Sequence, residues 1–293
     1  MLDAETRSFL EAVHTRYGYD LRGYAPASMG RRVRVALARS GLSDLATLEA
    51  RAVADPDFFT SVLDDLTVRV SDMFRDPPLY LALREQVVPL LRTYPTLNVW
   101  HCGCATGEEV YSLAILLAET GLHARARIYA TDLSSRAVEQ AKEGVYPAQR
   151  LPRYADNYRR AGGSGDFRDH ATVAYDQVAL RGSLRRPVVF FQHDLVSDHV
   201  FGEMQVIFCR NVLLYFGPEL RQRALAKLAS SLAPGGFLIL GADERPPTLG
   251  TWGDPASTFS DFAPALRIFR RGTGLSAPRP GGAPVASPKA DAA

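Results

Sequence analysis

From about Leu97 onward the chain alternates short β-rich runs with helix-patterned stretches, and this alternation is what most constrains the fold. Residues 97–102 (LNVWHC), 127–132 (RIYATD), 188–194 (VVFFQHD), 204–210 (MQVIFCR), 236–241 (GFLILG) and 265–270 (ALRIFR) read as strands. Helices fit residues 108–119, 134–144 and 218–233, with Gly121 stopping the first. Strands separated by helices favour a mainly parallel sheet covered by those helices, so a Rossmann-like α/β domain is expected. Residues 151–187 interrupt the alternation with AGGSGDF, TVAY and QVALRGSL, turn and short-strand signals that predict a small β insertion at about 160–187.

The N-terminal part reads differently. From Asp3 to about Leu66 the pattern is helical, with Asp3 as an N-cap and Phe9, Leu10, Val13 and Tyr17 on one face. Asp55-Pro56 opens another helix. The expected organisation is an all-α domain over 1–66, the α/β domain over 67–271, and a disordered tail over 272–293, where Gly, Pro, Ala and Ser leave little to bury. With 293 residues, 46% of them hydrophobic, the chain can fill such cores.

Charge excludes more than it suggests. With 34 Lys+Arg against 32 Asp+Glu, the formal net charge of +2 gives no global case for nucleic acid or membrane binding. Residues 21–43 nonetheless hold Arg22, Arg31, Arg32, Arg34 and Arg39 and no acidic residue, either a solvated helix face or a docking surface for an acidic partner. Cys102, Cys104 and Cys209 make a poor disulfide framework and suit a reducing compartment. No second ligand pair at zinc-like spacing follows His101, Cys102 and Cys104, so no metal is expected. The N-terminus lacks a signal-peptide pattern, and no stretch approaches the roughly 20 apolar residues of a membrane span. The expectation is a cytoplasmic protein with no direct membrane insertion.

The turn after the first strand, HCGCATGEEVY, carries the chemistry. Gly103 and Gly107 permit close backbone approach at the carboxyl edge of the sheet, where such folds bind ligands. Glu108 and Glu109 then occupy the first turn of the helix and would repel a phosphate. G-x-G-x-x-G and the Walker Lys-Ser/Thr are both missing, which weakens hydride transfer and nucleotide hydrolysis. Asp132 ends the next strand, 25 residues after Gly107, where a carboxylate can accept from ribose hydroxyls. A nucleoside with a cationic side chain, S-adenosylmethionine, fits these facts. In the plainer alternative, the two glutamates only favour the helix N-terminus and Asp132 caps the next helix.

Six segments extend beyond spacing: MGRRVRVAL, TVRVSDMFRDP, CATGEEVYSLAILLAE, IYATDLSSRAVEQAKEGVY, FCRNVLLYF and SLAPGGFLILGADE. Over about residues 5–271 the chain resembles the CheR-type chemotaxis receptor methyltransferases, which esterify receptor glutamates using S-adenosylmethionine and release S-adenosylhomocysteine. The resemblance implies a cofactor pocket with the Gly103 to Gly107 loop, Glu108 or Glu109 near the methionyl part, Asp132 on the ribose, and Arg210 and Asn211. Asp194-Leu195 stand where the family has asparagine-leucine beside the adenine; an aspartate accepts there but cannot donate as an amide does. Ser71 keeps the hydroxyl of a frequent threonine, and Arg69 replaces a frequent asparagine.

Arg75 matches the family's active-site arginine; a surface ion pair with Asp76 is its plainer reading. Tyr215 is placed to hydrogen-bond acceptor or cofactor, or else to pack with Phe216. By the same resemblance, Arg31, Arg32, Arg34 and Arg39 would meet an acidic helical surface of a receptor or other signalling protein, while tether binding by 160–187 stays open. The chain lacks the aromatic-basic interleaving expected for nucleic acid. A monomeric enzyme is expected, with a non-catalytic S-adenosylmethionine-sensing module as the competing reading.

Overall fold

A computed structural model of the protein describes residues 2–68, 71–199, 202–244 and 259–272. Arg69 and residues 273–293 of the expected tail lie outside the described residues. Four helices come first: α1 (Ala4–Tyr17), α2 (Pro26–Ser40), α3 (Leu45–Ala54) and α4 (Pro56–Leu66). Asp3 caps α1 by accepting from the Thr6 N–H at 2.7 Å. Asp44 caps α3 and Asp55 caps α4, whose first residue is Pro56, so each start is fixed by a short side-chain acceptor. Phe9, Leu10 and Val13 are buried together with Met29, Val33, Leu48, Phe59 and Leu63, and Tyr17 stacks flat on Phe59 at 4.0 Å.

After α5 (Pro77–Ala82), one wide turn (Leu83–Val87) and α6 (Val88–Leu91), the α/β part begins. It runs β1 (Leu97–Cys102), α7 (Glu108–Glu119), β2 (Ala126–Asp132), α8 (Ser135–Glu143), β3 (Val145–Pro147), α9 (Leu151–Arg160), β4 (Ala171–Ala174), β5 (Gln177–Leu180), α10 (Gly182–Arg185) and β6 (Val188–Gln192). β7 (Met204–Cys209), α11 (Pro218–Ser231), β8 (Leu232–Leu240), β9 (Phe259–Ala263) and β10 (Ile268–Arg271) complete it. The main sheet has the order β6-β2-β1-β7-β8-β10-β9. Its first five strands are parallel, and β10 is antiparallel to both β8 and β9. The direction of strand addition reverses between β1 and β7, so their carboxyl ends leave a crevice there.

The α/β architecture agrees with the sequence reading, and the differences have local causes. β8 starts at Leu232 rather than 236, because Leu232 still pairs with Met204 across an irregular register, and α11 is correspondingly shorter. β9 was not expected: Ser260 and Asp261 are exposed on this edge strand and blur its apolar signal. β10 loses its first residues to a helical turn at Pro264–Leu266, after which Arg267 takes φ +56. The insertion is a separate sheet of order β3-β5-β4, with β3 contributed from residues 145–147 and a helix, α9, inside it.

The helical bundle is sewn to the α/β part along one seam. The Ala25 N–H donates to the Tyr215 carbonyl and the Gly217 N–H to the Gly23 carbonyl, each at 2.8 Å. Ser134 Oγ donates to buried Asp64, and Gln192 Nε2 to Tyr19 Oη at 2.8 Å.

Candidate active site

A cavity of about 420 Å³ lies in the crevice at the carboxyl ends of β1, β2 and β7, with the bundle residues Tyr24, Arg32 and Leu66 across from the strand ends. That volume suits a ligand of nucleoside size. The floor is the β1–α7 turn. Gly103 takes φ +70, and a Cβ on it would lie 2.5 Å from Cγ2 of Val212, so only glycine lets the two loops close. The Cys104 N–H donates to the Thr131 carbonyl, and the Ala105 N–H to Oδ2 of Asp132, each at 2.8 Å. Asp132 also receives the Ser134 N–H on Oδ1 at 2.9 Å, which fixes the carboxylate at the end of β2.

Two expected cofactor contacts fall elsewhere. Gly107 does not line the cavity; a Cβ there would meet Ala141 at 2.9 Å, so this glycine lets α7 pack on α8. Glu108 is fully buried away from the cavity. It accepts from Thr106 Oγ1 at 2.6 Å, Arg150 Nη1 at 3.0 Å and Tyr154 Oη at 3.4 Å. Consecutive residues of a helix point about 100° apart, so only one of the adjacent glutamates can face the crevice.

That one is Glu109, and it has a partner. Its Oε2 receives Arg210 Nη1 at 2.6 Å, and its Oε1 lies 3.4 Å from His101 Nδ1. Burial alone would raise the Glu109 pKa; the Arg210 charge and the His101 ring override it and hold the carboxyl at about 2. Arg210 is itself buried and also pairs with Asp76. Asp76 is therefore engaged by Arg210 rather than by Arg75. Arg75 lines the cavity and its side chain forms no ion pair among the described residues. Ser71 stands in the same wall, half-buried.

Asp194 and Leu195 line the far side. The Asp194 carboxylate folds back on its own turn, accepting from the Val196 N–H and Ser197 Oγ at 2.8 Å each, and burial pushes its pKa up. Asn211 takes φ +61 and, with Tyr215, enters the cavity from the loop after β7. Burial raises the Tyr215 phenol, with Arg32 and Arg75 acting in the opposite sense, so at neutral pH it is a donor.

Arg32 is more than the surface residue its sequence position suggests. It lines the cavity, lies 5.1 Å from the Tyr215 ring centroid and donates to the Thr67 carbonyl at 3.0 Å. Arg31 and Arg34 are exposed, and Arg39 is exposed and paired with Asp65. Sequence reasoning also missed Asp72, a buried cavity residue whose Oδ2 lies 2.5 Å from Nε of exposed Arg153. Its position beside Ser71 in the quoted motif was the available signal.

The cavity offers charged groups of both signs, a braced carboxylate for a diol, and the apolar side chains of Tyr24, Leu133 and Leu195. A zwitterionic nucleoside matches that set better than a polyphosphate. Asp132 and Glu109 bring carboxylates to this cavity, and Arg75 brings a guanidinium. Among the described residues no group of three metal-ligating side chains comes together, and no helix is long and apolar enough to cross a membrane.

Fold and cavity together define a Rossmann-like methyltransferase domain carrying an all-α N-terminal domain. The SAM-binding domain of the CheR methyltransferases matches residues 69–257, and the CheR all-alpha domain matches residues 4–67. The chain belongs to the CheR methyltransferase family. Cher3 of Pseudomonas putida is 47% identical over 92% of this chain and 97% of its own length. Chemotaxis protein methyltransferases of Vibrio parahaemolyticus and Listeria innocua are 29% and 28% identical over 83% of this chain, and over 89% and 91% of their own.

Proposed function

We propose that the protein transfers the methyl group of S-adenosylmethionine to glutamate side-chain carboxylates of a bacterial chemoreceptor or related signalling protein in the cytoplasm. The products are glutamate methyl esters and S-adenosylhomocysteine. The observation that carries this reading is Arg75: a guanidinium in the cavity wall, without an ion pair among the described residues, beside a buried arginine already engaged by two carboxylates. An arginine left over in this way is available to an incoming carboxylate, which it can grip with two parallel N–H groups.

The cofactor, when bound, supplies a methyl group on a positively charged sulfur. The chain's own residues supply placement. A glutamate carboxylate has a reference pKa of about 4.3, so the nucleophile arrives ionised and needs no general base. Arg75 orients it, the protonated Tyr215 hydroxyl donates to one oxygen, and the bundle residues opposite exclude water that would shield the anion. Arg31, Arg34 and Arg39 of α2, with Arg32 at the cavity, form the surface that would meet an acidic helical face of the acceptor.

The test mixes methyl-labelled cofactor, the full chain and receptor-containing membranes, then measures protein-bound label released by base as volatile methanol. Base-labile label on receptor glutamates is expected. Label that resists base, or that sits on nitrogen, overturns the assignment.

A further inference from the structure

The loop after β7 follows a path that its own sequence does not enforce. Asn211 takes φ +61, a left-handed conformation that asparagine tolerates better than most residues with a Cβ but does not impose, and Tyr215 follows four positions later. From outside, the loop is tied to the bundle by Ala25 and Gly23. From inside it is tied by Glu244, which is 4% exposed. Oε2 of Glu244 accepts from the backbone N–H groups of Gly241 at 2.7 Å and Asn211 at 2.9 Å, and Oε1 accepts from Leu214 at 3.1 Å. Packing there is close: a Cβ on Gly241 would lie 2.7 Å from Oε2 and 3.0 Å from the Asn211 nitrogen.

Three converging donors need a side chain that only accepts. A carboxylate meets that need on both oxygens, whereas an amide must turn its own donor toward at least one of the N–H groups. Glu244 does not line the cavity, so its effect on chemistry passes through the loop. We infer that Glu244 is a positioning residue for methyl transfer: its carboxylate fixes residues 211–215 so that the Tyr215 hydroxyl meets the acceptor. The inference rests on the proposed role of Tyr215 at the acceptor carboxylate.

The experiment uses the full chain as wild type, Glu244→Gln, Gly241→Ala, Tyr215→Phe and the Glu244→Gln/Tyr215→Phe pair. Gly241→Ala keeps the carboxylate but displaces it, and serves if Glu244→Gln does not fold. Turnover is read from labelled methyl transfer to receptor-containing membranes, and cofactor affinity from calorimetry. Glu244→Gln and Gly241→Ala are expected to lower kcat by about ten- to a hundredfold, with cofactor Kd within about threefold of wild type. In the Tyr215→Phe background, Glu244→Gln should add less than about twofold.

Full additivity, cofactor affinity falling in step with kcat, or unchanged turnover in Tyr215→Phe each overturns the inference while leaving the transfer reaction intact. Wild-type protein that binds cofactor yet labels no carboxylate overturns the functional reading, and this inference with it.

Discussion

The two walls of the cavity hold their arginines differently. On the strand-end wall, Arg210 is buried and clamped between Glu109 and Asp76. On the wall formed by the bundle and the 71–76 segment, Arg32 is held by the Thr67 carbonyl, the Ser28 hydroxyl and the Tyr215 ring but by no carboxylate, and Arg75 has no carboxylate partner among the described residues. The same residue type is saturated by carboxylates on one side and left without one on the other. What separates them is the count of fixed acceptors, since a guanidinium saturated by protein has little left for a substrate.

The comparison breaks most readily at Arg210. Arg210→Met leaves the half-buried Glu109 without its counter-charge, so unfolding in urea should show a loss of about 3 kcal/mol, against less than about 0.5 kcal/mol for Arg75→Met. Equal losses would mean that the two walls do not differ.

Next comes pH. The folded pKa of Glu109, about 2, lies below its ordinary value of 4.5, so its ionisation stabilises the fold above roughly pH 4.5, and that contribution is lost as pH falls toward 2. Stability of the wild type should therefore fall more steeply than that of Glu109→Gln between about pH 4.5 and 2, by on the order of 3 kcal/mol across the window. Parallel curves would remove the Arg210 clamp from the account.

Arg75→Ala should lower methyl transfer by about fiftyfold with cofactor Kd changed by less than about threefold. Equal loss of both would move Arg75 to the cofactor side. The smallest effect is expected at the rim: Arg31→Glu with Arg34→Glu should raise KM for the protein acceptor by about three- to tenfold and flatten its salt dependence. An unchanged KM and salt response would detach that surface from acceptor recognition.

Legibility in the sequence follows the range of each interaction. The strands around the crevice and the caps at Asp3 and Asp55 rest on neighbours within a few residues, and those signals are local. The pair Glu108-Glu109 was visible as a pair, but which member faces the crevice depends on how α7 rolls against the sheet. Arg32 on Tyr215, and Glu244 on Asn211 and Leu214, join parts of the chain far apart, and no short motif encodes such meetings. Asp194 stands between these cases, because an aspartate followed by Ser197 three positions on is a recognisable self-capping turn.

The seam at Gly23 and Ala25 bears on modularity. An all-α domain followed by a methyltransferase domain looks like two exchangeable parts, yet the backbone of residues 23–25 is half of the bridge that carries Tyr215. A chimera that grafts the bundle of a relative imports new bridge residues for the loop that carries Tyr215 as well. Such grafts should retain this chain's residues 23–25 and Arg32, so that the bridge to Phe216 and the Tyr215 ring contact are inherited intact.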